Sequence, residues 1–116
     1  MGEFKNYLLK EQTEYLAQKI GDILSGVQAL SDDATNLGSR QLVRAADNIV
    51  NQMRRILNGR WSRQEIKYLR EVQKIAVALA KAVDSNENVP EILAGSATAL
   101  EQLLSGLGYP LNKIGS

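Results

Sequence analysis

Four stretches of this chain space their apolar residues in alternating steps of three and four, which leaves helices as the only regular structure they can build. Leu9, Leu16, Ile20, Ile23, Val27 and Leu30 mark the first stretch, with Thr13 filling one slot of the rhythm. Leu42, Ala46, Ile49, Met53 and Ile56 mark the second, and Leu69, Val72, Ala76, Leu79 and Val83, joined by Ile66, mark the third. Leu93, Ala97, Leu100, Leu104 and Leu107 complete the fourth. These steps match the period of an α-helix, so each set forms one apolar stripe along one face. Only two of the 116 residues are proline. Ala, Leu, Gln, Glu, Lys and Arg, all good helix formers, are abundant. Four striped helices with short links bury all the stripes together in an antiparallel, up-down-up-down four-helix bundle, so the expected fold class is all-α. A chain of 116 residues fits a single domain, 1–116, with residues 1–3 and 109–116 as tails. No internal repeat, low-complexity stretch or linker interrupts it.

The expected boundaries rest on local chemistry. Asn58-Gly59 closes the second helix, with Gly59 read as a left-handed cap. Ser62-Arg-Gln-Glu65 is a capping box opening the third, with Trp61 and Ile66 at the two positions of a hydrophobic staple. Asp84-Ser-Asn-Glu-Asn88 is a polar loop, and Pro90 falls in the first turn of the fourth helix, where a missing N–H costs nothing. Gly106, Gly108 and Pro110 stop that helix. The second helix begins near Asp32 or only after Gly38, and Asp32-Asp33 reads as an acid pair favoured at a helix start. Gly21, Gly26 and Gly95 read as sites of close helix approach.

Charge is segregated along the chain. Between Arg40 and Lys81 ten Lys/Arg face three acids (Asp47, Glu65, Glu71), a balance of +7 within a chain whose net charge is only +1. On the third helix Arg63, Lys67, Arg70, Lys74 and Lys81 share one face, nearly opposite its apolar stripe at about 100° per residue. On the second helix Arg40, Arg44, Asn51 and Arg55 do the same. Paired as a hairpin, the two helices carry their cations outward and end at Arg54, Arg55, Arg60 and Trp61. The like-charge neighbours 63/67, 67/70 and 70/74 each cost about 0.2–0.5 kcal/mol, which a solvated face tolerates without any function. Extension over two helices is what points beyond an ordinary solvated face.

The expected anion-binding set is therefore Arg55, Arg60, Arg63, Lys67, Arg70 and Lys74. The expected function is a non-enzymatic binding or assembly module that engages an anionic partner or another protein subunit. Nucleic acid is the alternative partner, since Trp61 among arginines suits stacking beside phosphates. Asn51, Gln52 and Gln64 are polar enough to read bases but belong to no base-reading motif.

Catalytic chemistry has little to work with. The chain has no Cys and no His, which removes thiol nucleophiles, Ser-His-Asp triads, zinc sites and the Glu-x-x-His pattern of di-iron bundles. Glu11-Gln-Thr-Glu14 is an ExxE pair of the kind that all-α nucleotide pyrophosphatases combine with an ExxD pair on another helix to hold magnesium. No Glu-x-x-Asp occurs here. That makes a carboxylate–metal enzyme of this type the less favoured alternative, and no cofactor, metal or small-molecule substrate is expected. The longest apolar run, Ile75 to Ala80, is far short of the roughly 20 residues of a membrane span. The first residues carry early charges and no apolar signal region, so a soluble cytoplasmic location is expected. Phe4 and Tyr7, with Tyr15, add aromatic surface to the first helix, and Tyr109, Leu111 and Ile114 make an apolar tail. Phe4, Tyr7, Tyr109, Leu111 and Ile114 are the expected self-association residues of a homo-oligomer.

Overall fold

The computed structural model describes the backbone of residues 2–107 and the side chains of residues 14–107. It contains α1 (Gly2–Asp33), a 3-10 turn (Ala34–Asn36), α2 (Ser39–Leu57), α3 (Arg63–Ser85) and α4 (Val89–Gly106). Consecutive helices are joined by links of three to five residues and run antiparallel. α1 packs on α2, α2 on α3, α3 on α4, and α4 closes the ring on α1, leaving α2 and α4 across the core from each other. This is the all-α four-helix bundle that the apolar spacing requires.

The stripes lie where their periodicity puts them. Leu16, Ile20, Ile23, Val27 and Leu30 of α1, all five stripe residues of α3, and Leu93, Leu100 and Leu104 of α4 are buried. Ala46, Ile49 and Met53 are the buried part of the α2 stripe, with Leu42 and Ile56 half-buried at its ends. Ala17, Leu24 and Val89 widen the core. No polar or charged side chain is buried among the described residues, so their core is apolar throughout.

The capping box at α3 forms in both directions. The Glu65 amide donates to Ser62 Oγ at 3.2 Å, and the Ser62 amide donates to Glu65 Oε1 at 2.8 Å. α3 runs to Ser85, two residues into the expected loop. Its end is closed by the Asn86 amide on the Val83 carbonyl and the Glu87 amide on the Ala82 carbonyl, with Asn86 left-handed at φ 54°. That is a Schellman ending with Asn in the place glycine usually takes.

Three local expectations are corrected. Asp32 and Asp33 close α1 rather than open α2, because Leu30 is buried and Ala34 still packs on the core, so the helix runs on to Asp33 and passes into the 3-10 turn. The chain turns only at extended Leu37 and at Gly38, whose amide donates to the Gln41 side chain at 3.0 Å and starts α2. Gly59 is not left-handed; its role is steric, as set out below. Gly95 is not a point of close helix approach: it is exposed, and a Cβ there meets nothing within 4 Å. Gly26 does face a neighbour, since its Cβ would lie 3.7 Å from Ile49 Cγ1. Gly95→Ala is therefore expected to stabilise the protein by about 0.8–1 kcal/mol through helix propensity. A thermal melt should read that as a rise of about 3–6 °C.

Candidate docking surface

α2 and α3 are nearest neighbours, so their outer faces adjoin. Arg40, Arg44, Arg54 and Arg55 on α2, Arg60 in the link, and Arg63, Lys67, Arg70, Lys74 and Lys81 on α3 are all exposed. The six residues singled out from sequence thus lie along one α3 edge and the adjoining hairpin tip. Among the described residues the one ion pair is Lys74 Nζ to Glu71 Oε1 at 3.3 Å, between neighbours on the same helix. Among the described residues no carboxylate of α1 or α4 forms an ion pair with these cations. Outward directions of adjacent helices in a four-membered ring differ by about 90°. The cations therefore cover a convex double ridge rather than a flat sheet.

The opposite side of the ring carries the opposite sign. From Ala82 to Leu107 there is no Lys or Arg, while Asp84, Glu87, Glu91 and Glu101 are present. On α1 the described side chains add Glu14, Asp22, Asp32 and Asp33 against Lys19 alone. The bundle is polarised across its width.

The hairpin tip is organised by Trp61. Its indole N–H donates to the Ile56 carbonyl at 2.6 Å, an oxygen near the end of α2 that also accepts the Gly59 amide at 3.0 Å. Its ring stacks on Tyr15 of α1, with centroids 5.4 Å apart and 21° between planes. Gly59 makes room for this arrangement, because a Cβ there would lie 3.1 Å from Trp61 Nε1 and 3.2 Å from the Ile56 carbonyl oxygen. Gly59→Ala is expected to cost about 1 kcal/mol. Urea denaturation followed by Trp61 emission measures it, and an unchanged midpoint would mean the loop absorbs the methyl freely.

Between α1 and this tip lies a cleft of about 300 Å³ lined by Tyr15, Lys19, Asp22, Gln52, Arg55 and Arg60, with Ile56, Gly59 and Trp61 at its floor and rim. Two shallower depressions lie each on one helix, one beside Arg40 and Arg44, the other beside Lys74 and Lys81.

Sequence reasoning missed the cleft. It grouped Tyr15 with Phe4 and Tyr7 and assigned Trp61 to a local staple, although a signal was present. Tyr15, Lys19 and Asp22 follow a four-three rhythm beside the apolar stripe. The antiparallel register of α1 and α2 then sets 15 level with 60, 22 with 52 and 26 with 49, each pair of numbers adding to 74 or 75. The side chains of Phe4 and Tyr7, and residues Tyr109, Leu111 and Ile114, lie outside the described residues, as does the Glu11 side chain of the ExxE pair. Among the described residues no three His, Cys, Asp or Glu side chains group as a metal site, and no helix is long and apolar enough to cross a membrane. No protein-family model, curated protein or solved structure matches the chain.

Proposed function

We propose that this protein is a non-enzymatic binding or assembly module whose α2–α3 face docks onto an acidic protein surface, another copy of this chain included. One observation carries the reading. Ten exposed cations lie on two adjoining helices and their link, and among the described residues only Lys74 is paired with a carboxylate. Holding like charges together without counter-charges favours an anionic partner that supplies them. The acidic α1–α4 side of a second copy is one surface of the required sign. Contacts of this kind, made by exposed side chains, are salt-sensitive.

Nucleic acid is the second reading, favoured by the aromatic pair beside Arg55 and Arg60 at the end of the cationic ridge. Fluorescence anisotropy with a labelled oligo-glutamate peptide and a labelled DNA duplex separates the two. The first reading expects oligo-glutamate binding at 50 mM salt that weakens at least tenfold by 300 mM. Tight DNA binding without oligo-glutamate binding would replace it with the second. Binding to neither probe would remove both.

A further inference from the structure

Tyr15 is the only large apolar side chain left exposed among the described residues, at 52% of its surface, and it opens onto the cleft at the hairpin tip. The same cleft gathers Lys19, Arg55 and Arg60 against one carboxylate, Asp22, and none of these four charges is in an ion pair among the described residues. An exposed aromatic ring next to unpaired cations in a concave site fits a ligand that is planar at one end and anionic at the other. At about 300 Å³ the cleft stands at the small end of ligand pockets. That is room for one nucleotide unit.

We propose that this cleft binds a nucleoside phosphate, its phosphate held by Lys19, Arg55 and Arg60 and its base laid against Tyr15. Arginine suits phosphate because its planar fork donates two parallel hydrogen bonds. The Lys19 ammonium rests 5.3 Å from the Tyr15 ring centroid, a weak cation–π hold that it exchanges readily for a phosphate oxygen. Gln52 and Asp22, on opposite walls, offer an amide and a carboxylate for the sugar hydroxyls or the base edge. Trp61 braces Tyr15 from behind and anchors the platform to α2 through the Ile56 carbonyl. The site goes beyond the docking face: it shares Arg55 and Arg60 with it, while Tyr15, Lys19, Asp22 and Gln52 lie outside that face.

Trp61 is the single tryptophan of the chain, so its emission reports on this site alone. Titration with AMP is expected to change that emission saturably, with adenosine and inorganic phosphate each at least tenfold weaker. Tyr15→Ala and Arg60→Ala, both at exposed positions, should each weaken AMP at least tenfold while the circular dichroism melt stays near wild type. A 5′-phosphorylated oligonucleotide distinguishes the source of the unit. Binding of AMP assigns the site to free nucleotides, and binding of the oligonucleotide alone assigns it to strand ends. The charge-reversed Arg63/Lys67/Arg70/Lys74 variant keeps every cleft residue, so it should retain AMP binding within about threefold even where polyanion docking is lost. The proposal is overturned if neither probe gives a saturable response, if phosphate alone matches AMP, if Tyr15→Ala binds unchanged, or if AMP binding disappears in the charge-reversed variant. Failure of both AMP and the oligonucleotide with oligo-glutamate binding intact removes the cleft and leaves the docking face standing.

Discussion

Replacing Arg63, Lys67, Arg70 and Lys74 together by glutamate is expected to abolish polyanion binding while leaving the bundle folded. Each substitution removes two units of charge, taking the net charge from +1 to −7. All four side chains are exposed and lie opposite the buried Leu69, Val72, Ala76, Leu79 and Val83 stripe, so no core contact is lost. Four glutamates at the same spacing repel one another about as strongly as the four cations did. α3 begins at Arg63, so an acid there gains about 0.3–1 kcal/mol from the helix dipole. The exposed Lys74–Glu71 pair that is lost contributes little. Net stability should therefore stay within about 1 kcal/mol of wild type. Anisotropy beside a circular dichroism melt reads both quantities, and a folded variant that still binds would show that this face is not the contact.

The largest effect on stability should come one residue away. Leu69 is fully buried while its neighbour Arg70 is exposed. Leu69→Ala removes apolar contact and leaves a cavity that neighbouring helices fill only partly, at a cost of about 2–5 kcal/mol. Against the 5–15 kcal/mol typical of whole domains, that is a large fraction, and the urea midpoint should fall without a change in slope. Arg70→Ala should move the midpoint hardly at all. Equal effects at the two positions would mean that the α3 stripe does not form the core.

How much of this was legible in the sequence follows from how local each determinant is. The stripe of α3 depends on helical period alone, and all five of its predicted members are buried. The Ser62–Glu65 capping box closes within four residues and forms as its spacing indicates. Asp32-Asp33 misled because acids favour a helix start, whereas the packing of Leu30 and Ala34 on the core carries α1 as far as Asp33. Gly59 and Gly95 misled in opposite ways. The first is fixed by the Trp61 ring folding back onto Ile56, a short-range contact that the Asn-Gly pattern does not announce, and the second faces open space, which depends on how the helices pack. For the candidate sites, the outward cations of α3 were legible because the side opposite a stripe is also set by period. The cleft was not, because Tyr15 and Trp61 are 46 positions apart and meet only through the register of α1 against the α2–α3 hairpin.

Chemical-shift mapping reads residue by residue where an anionic partner touches the molecule. At 12.8 kDa the protein suits backbone NMR. Titration with oligo-glutamate at low salt is predicted to move amide signals of the outward α2 and α3 positions, Arg44, Arg55, Arg63, Lys67, Arg70 and Lys74 among them, and to leave those of Glu87 to Glu101 in place. Perturbations centred on α1 and α4, or none at all, would contradict the account.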